Sequence, residues 1–309
     1  FGDDRVYVEK YLVEPRHVEF QIIADTHGNV LHLYDRECSV QRRHQKVIEE
    51  APCTILTPEL RAEMAEAAVS AARACDYIGA GTVEFLVDRD RNYYFLEMNT
   101  RLQVEHPVTE LITGVDLVRL QILVAEGREL PFAQKEVEIR GHAIECRIYA
   151  EDPRDNFLPS TGILTKHRIP AGNGIRVDAG IEEGQQVTIN YDPMISKLCS
   201  HGRNRDEAIH RMLRALEEYE IAGCRTTIPF CRFVLCHESF ADGEYNTHFV
   251  QDHFEIEKPG EQEREAGVVP FVAAALLRLN NGRGNRSAVR FTGESPAAPS
   301  RWWRNRREP

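Results

Sequence analysis

The sequence lacks the features that mark several classes of protein. Its 309 residues contain no apolar run long enough to span a bilayer and no secretory signal, so no membrane association is predicted. Arginine and lysine number 38 against 49 aspartates and glutamates, which gives a formal net charge of -11. A negative balance of this size disfavours nucleic acid and anionic membranes as partners.

Cysteine and glycine are present but do not form recognisable site motifs. The eight cysteines form no C-x-x-C pair and show no metal-like spacing with histidine. They predict mostly buried free thiols in a reducing compartment, the cytoplasm or, in a eukaryote, the mitochondrial matrix. The 20 glycines never place three within one short loop, so no glycine-rich phosphate loop is found.

The most informative stretch is residues 81–99, which predicts a β-hairpin. Polar and apolar side chains alternate in its first half, and an aromatic-rich run returns in its second half. With Asp90 and Arg91 as a two-residue turn, Glu84 faces Glu97 across the two strands. Like charges in that arrangement destabilise a sheet, and a cation between them would compensate.

The same face of this hairpin holds a third oxygen ligand. Asn99 lies two residues beyond Glu97 and therefore points to the same side of the strand. Two carboxylates and an amide oxygen suit Mg²⁺ or Mn²⁺ carried with substrate phosphates, and do not suit zinc. Leu86, Tyr93 and Phe95 are expected on this face and would cover it. The alternative is a solvated hairpin face whose acids bind no metal.

The remaining pattern predicts an α+β fold with a mixed sheet. Strands are predicted at 6–12, 17–24, 30–35, 140–149, 162–169, 174–178, 186–191 and 194–199, and helices at 57–74, 116–126, 204–219 and 228–236. Residues 36–46 gather basic side chains in a polar loop, either an anion site or a solvated loop. Pro107 is expected to close the polar segment 100–107 and block further helix.

The composition changes after Lys258. Residues 261–265 are a run of charges, 268–279 are compatible with one apolar helix, and 281–309 are rich in Arg, Gly, Pro and Asn. We expect 254–309 to be a weakly ordered linker or the start of a further domain.

Five motifs resemble those of biotin carboxylase, and they occur in the order of that family. They are residues 9–12 (EKYL), 37–46 (ECSVQRRHQK), 95–110 (FLEMNTRLQVEHPVTE), 140–147 (RGHAIECR) and 191–197 (YDPMISK). The resemblance covers residues 1–253. It implies the C-terminal part of an ATP-grasp domain at 1–115, followed at 116–253 by a biotin carboxylase C-terminal domain of strands and helices.

The resemblance also implies a role for each matching residue. It implies nucleotide contacts for Glu9, Lys10, Leu12, His17, Gln41 and His44, and metal ligation for Glu84, Glu97 and Asn99. It implies a bicarbonate and biotin pocket that is formed by Lys46, Arg101, Gln103, Val104 and Arg147. Glu105 is implied to be the general base. Simpler roles are open for single residues. Arg147 could form a strand salt bridge with Glu145, Glu105 could be a loop acid, and His44 and residues 191–197 could be structural.

The implied activity is the ATP-dependent carboxylation of carrier-bound biotin with bicarbonate, through carboxyphosphate. ATP, Mg²⁺ or Mn²⁺ and biotin on a separate carrier domain or protein would be the cofactors. Besides the carrier, the expected partner is a carboxyltransferase subunit. The chain is expected to belong to a homodimer or a larger assembly. Two alternatives stay open: another ATP-grasp ligase, such as carbamoyl phosphate synthetase or a D-alanine ligase, and a non-catalytic docking fragment.

Parts of the family pattern are missing from these residues. The phosphate loop, the preceding half of the nucleotide domain with its lysine contacts to ATP, and a biotinylation lysine between methionines are not found. We therefore expect the chain to be inactive by itself. The missing nucleotide-binding parts would lie upstream, and the carrier would lie downstream or on another chain.

Overall fold

A computed structural model describes residue 6, residues 8–188 and residues 190–255. These residues belong to one compact unit, residues 1–257. The charge run at 261–265, the apolar helix at 268–279 and the tail at 281–309 lie outside the described residues. No helix in the described part of the chain has the length and apolar character needed to cross a membrane.

The described residues form fourteen strands and seven α-helices. The strands are β1 (Arg16–Ala24), β2 (Val30–Arg42), β3 (Gln45–Ala51), β4 (Gly79–Val87), β5 (Tyr93–Asn99), β6 (His142–Tyr149), β7 (Glu151–Asp152), β8 (Leu158–Pro159), β9 (Gly162–Ile163), β10 (Lys166–Arg168), β11 (Ile175–Ala179), β12 (Gln186–Val187), β13 (Met194–Gly202) and β14 (Glu220–Ala222). The helices are α1 (Pro58–Ala74), α2 (His106–Thr113), α3 (Leu117–Ala125), α4 (Arg205–Glu218), α5 (Ile228–Cys236), α6 (Glu238–Ala241) and α7 (Phe249–His253).

Eight of these strands form one sheet in the order β11-β13-β6-β3-β2-β1-β4-β5. Every neighbouring pair in this sheet is antiparallel, so the expectation of a mixed sheet was wrong. The physical reason is the connectivity. Hairpins join β1 to β2, β2 to β3 and β4 to β5, and no helix crosses over between two parallel neighbours in the described sheet.

The helices cover the two faces of the sheet unequally. On one face α1 packs against β1 and β4, and α4 and α5 pack against β6 and β13. On the other face α3 packs against β1, β2 and β4, and α2 packs against β3 and β6. This second face is covered only in part, and its polar middle region forms the floor of a cleft.

Helix α1 confirms the start predicted from the sequence. The hydroxyl of Thr57 accepts a hydrogen bond from the Leu60 amide at 3.2 Å, and proline occupies the first turn. Met64, Ala68 and Ala72, spaced four residues apart, are fully buried against the sheet. The other predicted helices are confirmed as α3, α4 and α5.

The predicted strands are confirmed at β1, β6, β11 and β13, but three local predictions were wrong. Residues 8–12 lie in no strand, because no strand among the described residues pairs with them, and Val8 and Tyr11 are 97% and 78% exposed. Residues 36–42 continue β2 instead of forming a loop, and β3 begins at Gln45. Pro107 lies in the first turn of α2 and starts a helix there, since that position needs no backbone donor.

The hairpin of β4 and β5 places Glu84 opposite Glu97, as predicted. The turn was mispredicted by one residue. Asp88 and Asn92 are bonded through their backbones, and the three-residue tip ends at Arg91, whose φ is 63°. The predicted pairing is nevertheless correct, because a bulge further along β5 cancels the one-residue error.

That bulge lies at Leu96 and changes which side chains share the face of Glu84. Tyr93 and Phe95 were expected on that face, but both pack against Phe85, with ring centroids 5.6 and 6.4 Å away. Phe85 belongs to the core beneath α1, so these rings lie on the opposite side of the sheet. Leu96 takes their place and lines the cleft.

Arg36 of β2 is fully buried and binds several elements together. Its Nε donates to Glu19 Oε1 at 2.6 Å. Its two terminal nitrogens donate to the side chains of Gln21, Thr82, Gln103 and Thr109. These contacts join β1, β2, β4, α2 and the segment before α2 through one guanidinium, whose donors are all satisfied in the low-dielectric interior.

Replacing Arg36 by methionine is expected to destabilise the chain strongly. The substitution removes one of the two cations paired with the carboxylate of Glu19 and orphans four polar groups, which should lower the free energy of unfolding by about 3–5 kcal/mol. Urea unfolding followed by circular dichroism measures this loss. The control is Arg203→Met, because that side chain is 90% exposed. Equal, small losses in both variants would contradict the assigned role.

Candidate active site

A cleft of about 970 Å³ opens on the polar face of the sheet. Its walls include every predicted site residue except Glu9, whose side chain is exposed and outside the lining. The predicted residues brought together there are Lys10, Leu12, His17, Gln41, His44, Lys46, Glu84, Glu97, Asn99, Arg101, Gln103, Val104, Glu105 and Arg147. Residues far apart in the sequence therefore share one site.

Irregularities in β2 and β3 decide which side chains enter the cleft. The pairs Val40–Ile48 and Gln41–Lys46 leave Val47 unpaired between them, which is a β-bulge. The extra residue interrupts the alternation of side chains between the two faces of the sheet. Lys46 and Glu49 of β3 therefore point to the same face although they are three positions apart. The two-residue turn between the strands has positive φ at both positions, 49° and 64°, and it carries His44 to the cleft wall.

Lys46 occupies the point where three carboxylates converge. Its Nζ donates to Glu19 at 2.6 Å, to Glu105 at 2.6 Å and to Glu84 at 3.1 Å. Burial works against the charged ammonium, but the surrounding acids outweigh it and raise the pKa of Lys46 well above its usual value. The potential metal-ligating clusters among the described residues both draw on these acids, and the ammonium already pairs with each of the three.

Glu84 is held as an anion by a set of donors. Its Oε2 accepts from His17 Nε2 at 2.7 Å, while Gln41 Nε2 lies 2.6 Å from the other ring nitrogen of that histidine. Its Oε1 accepts from Gln103 at 2.7 Å and from Lys46. Burial alone would raise the pKa of Glu84, but the His17 hydrogen bond and the Lys46 charge hold it well below its usual range.

The predicted metal ligands converge at the edge of this network. Asn99 Nδ2 lies 3.0 Å from Glu84 Oε1 and 3.1 Å from Glu97 Oε1. Rotation of the amide would present its oxygen to the same point, which gives three hard oxygen donors facing the cleft. This donor set fits Mg²⁺ or Mn²⁺.

Glu105 bridges two cations on the inner wall. Its Oε1 accepts from Lys46, and its Oε2 accepts from Arg147 at 2.9 Å. Arg147 also donates through Nε to Glu49 Oε1 at 2.6 Å. Its strand salt bridge with Glu145 was an open alternative, and this alternative is wrong, because its two ion pairs go to the other acids.

A hydrogen bond from β13 holds the segment 101–105 in place. Lys197 Nζ donates to the Val104 carbonyl at 3.2 Å, so the motif at 191–197 stabilises this part of the cleft wall. Arg101 lines the cleft and forms no ion pair within the part of the chain that the structure describes. Its guanidinium is therefore available to an anion.

Sequence reasoning missed three residues that hold this site: Glu19, Arg36 and Glu49. Each lies in a strand and is almost completely shielded from solvent. Glu19 stands between Val18 and Phe20, and a charge inside an apolar strand was an available signal, since charged residues are rarely buried unless they are paired. Arg36 and Glu49 have charged sequence neighbours and gave no such signal.

Comparison with known proteins identifies the family. Residues 1–133 match the family described as the carbamoyl-phosphate synthase L chain, ATP-binding domain, and residues 145–252 match the biotin carboxylase C-terminal domain. This chain belongs to the biotin carboxylase family. The α+β architecture thus combines an ATP-grasp domain with a biotin carboxylase C-terminal domain.

Individual biotin carboxylase relatives agree with this assignment. A pyruvate carboxylase subunit from Methanothermobacter thermautotrophicus is 59% identical over 253 residues, covering 82% of this chain and 51% of the relative. Biotin carboxylase of Halalkalibacterium halodurans is 54% identical over 256 residues, covering 83% and 56%. The chain thus spans about half the length of these relatives.

A solved structure with the same fold is the biotin carboxylase domain dimer of Hydrogenobacter thermophilus 2-oxoglutarate carboxylase, in complex with MgADP, ADP and bicarbonate. It aligns with a TM-score of 0.79 and 45% identity, covering 82% of this chain and 56% of that chain.

Replacing Glu97 by glutamine is expected to weaken divalent-metal binding at the hairpin. Loss of one anionic ligand should raise the dissociation constant for Mn²⁺ at least about tenfold. The electron paramagnetic resonance signal of free Mn²⁺ measures it directly. Asp90→Asn is the matched control, because it removes the same charge from the tip of the same hairpin. Identical Mn²⁺ titrations of both variants and the parent chain would refute the metal site.

Proposed function

We propose that this chain is part of an enzyme that carboxylates carrier-bound biotin with ATP and bicarbonate, through carboxyphosphate. The observation that carries the proposal is the continuous ionic chain from Lys46 through Glu105 to Arg147 at the inner wall of the cleft. The two ion pairs fix the orientation of the Glu105 carboxylate, which would accept a proton from a ligand in the cleft. Membership of the biotin carboxylase family supports the same activity.

Bicarbonate would bind beside Glu105. The cations Lys46 and Arg101, the amide of Gln103 and the backbone of Val104 surround that position in the cleft wall. Glu105 would accept the proton of bicarbonate, and the cations would stabilise the negative charge that develops on its oxygens.

The nucleotide would occupy the outer part of the cleft. Glu9 and Leu12 would meet adenine through backbone groups, with Lys10 beside them, and His17, Gln41 and His44 would contact ribose and phosphates. Glu84, Glu97 and Asn99 would hold Mg²⁺ or Mn²⁺, which supplies positive charge to the phosphates when it is bound. Since Glu84 accepts hydrogen bonds from His17, Lys46 and Gln103, its carboxylate is fixed in place before any ligand arrives.

Arg147 would serve the second chemical step. Carboxyphosphate breaks down to CO₂ and phosphate, and the phosphate removes the proton from the ureido nitrogen of biotin. The guanidinium stays charged at any working pH and would stabilise the resulting enolate. Within the described part of the chain, its Nη1 makes only a 3.4 Å hydrogen bond, to the Tyr149 hydroxyl. This nitrogen is therefore the one best able to turn toward a ligand.

The second candidate is another ATP-grasp ligase, such as a carbamoyl phosphate synthetase. It is favoured by the description of the family that matches residues 1–133. It is disfavoured by the C-terminal domain match and by Arg147, which that chemistry does not require. A docking fragment without catalysis is disfavoured by the intact ionic chain.

We further propose the partners and the cellular setting. A biotin carboxyl carrier domain or protein and a carboxyltransferase subunit would complete the reaction, and a homodimer or larger assembly is expected. The free and mostly buried thiols favour a reducing compartment, the cytoplasm, or the mitochondrial matrix in a eukaryote. We place the boundary between the two domains at 115/116.

The complete polypeptide that includes this chain is expected to hydrolyse ATP in a bicarbonate-dependent reaction that free biotin stimulates. Carboxylation of biotin with ¹⁴C-bicarbonate and release of phosphate are measured in parallel. ATP hydrolysis that ignores biotin but responds to ammonia or an amino acid would instead support the second candidate, and an intact carrier interaction with no ATPase would support the docking fragment.

Arg147→Ala in the complete polypeptide is expected to lower biotin carboxylation by about a hundredfold, because the charge that stabilises the enolate is lost. Most of the bicarbonate-dependent ATPase should remain. Arg147→Lys keeps a charge at the site if the alanine variant does not fold, and it should retain intermediate carboxylation. Arg203→Ala on the surface is the control. Parallel loss of both activities would contradict the assignment of Arg147 to the biotin step.

A further inference from the structure

Two buried carboxyl groups behind Arg147 are unused by the proposed mechanism. Glu49 of β3 and Glu145 of β6 face each other directly across the ladder, and each is 0% exposed. Residues in that relation point to the same face of a sheet, with Cβ atoms about 5 Å apart. Two acids therefore meet in a space that water does not reach.

Among the residues that the structure describes, each of these acids has one oxygen without a hydrogen-bond partner, Oε2 of Glu49 and Oε1 of Glu145. The remaining oxygens are engaged. Glu49 Oε1 accepts from Arg147 Nε at 2.6 Å, and Glu145 Oε2 lies 3.4 Å from the thiol sulfur of Cys199. Two opposed anions with unsatisfied oxygens would be costly in this interior, whereas one proton between them satisfies both.

The neighbouring charges cannot neutralise both acids. Lys197 of β13 pairs with Arg147 in the ladder, and its Nζ donates to the Val104 carbonyl and pairs with Asp178 at 3.4 Å. Lys46 is committed to its three other carboxylates. Glu105 adds a further negative charge beside Arg147.

Burial raises the pKa of both acids in the pair. It raises the pKa of Glu49 to about 7 and that of Glu145 well above its usual range. The proton belongs on Glu145, because the direct ion pair with Arg147 favours the ionised form of Glu49.

We propose that Glu145 is a neutral acid that shares its proton with Glu49, and that this pair positions Arg147 for the biotin step. Glu49 then keeps one oxygen on Arg147 Nε and the other on the shared proton, so the guanidinium is fixed from behind. The role assigned to Arg147 rests on the proposed function. The shared proton does not, because it follows from the opposed and unsatisfied carboxyl groups alone.

Infrared difference spectroscopy of the 309-residue chain tests the proton directly. The parent chain is expected to show a carboxylic-acid C=O stretch at neutral pH, and Glu145→Gln should abolish it. Glu151 is another acid whose pKa burial raises, so assignment of the band depends on its loss in this variant. Glu129→Gln, at a side chain that is 71% exposed, is the control. Absence of the band in the parent chain, or its persistence in Glu145→Gln, would overturn the proposal.

Activity of the complete polypeptide tests the positioning role. Glu145→Ala removes the proton donor and should lower the kcat of biotin carboxylation about tenfold while bicarbonate-dependent ATPase changes far less. Glu145→Gln can still donate a hydrogen bond to Glu49 and should restore the carboxylation rate. A merely structural role predicts equal loss of both rates and no rescue by glutamine, and that result would overturn the proposal. If the parent polypeptide shows no biotin-dependent rate at all, the proposed function fails while the infrared result still decides the shared proton.

Discussion

The single charge of Lys46 holds the centre of the cleft together. Three acids from β1, β4 and the segment before α2 point at its ammonium, and without it they would repel one another in a region that is mostly closed to water. Because each acid also binds a second group, the ammonium links Glu84, the proposed metal ligand, Glu105, the proposed base, and the buried Arg36 through Glu19. The ion pairs of Lys46 therefore determine where these side chains lie, and we expect a substitution of one acid to shift the other two.

The sheet has one apolar face and one polar face. Burial of the apolar face offsets the free-energy cost of burying the charges on the other. Val18 and Phe20 pack beneath α1 in an apolar core, while His17, Glu19 and Gln21 alternate with them and are polar, and His17 lines the cleft. Both sets are buried, which differs from the usual antiparallel sheet with one solvated face. Stability then comes from the apolar face and function from the polar one, so the polar face need contribute little net free energy as long as its charges stay paired.

Sequence reasoning recovered much of the site and failed where the backbone is irregular. The opposition of Glu84 and Glu97 was predicted because strand alternation is a strong signal, although a turn error and the Leu96 bulge cancelled to give it. Bulges cannot be read from alternation, so the alignment of Lys46 with Glu49 on one face was beyond prediction. The helix α2 was missed because proline was taken as a stop, and the motifs supplied most cleft residues only through family resemblance.

The turn between β2 and β3 has a consequence for evolution. Its two residues, Arg43 and His44, hold left-handed backbone conformations that glycine adopts at much lower cost. Selection for heat resistance alone would therefore favour glycine in this turn, and the imidazole of His44 would be lost from the wall of the cleft. The ligand contact proposed for His44 would account for an imidazole at this position, because it would offset the cost in stability of the left-handed backbone.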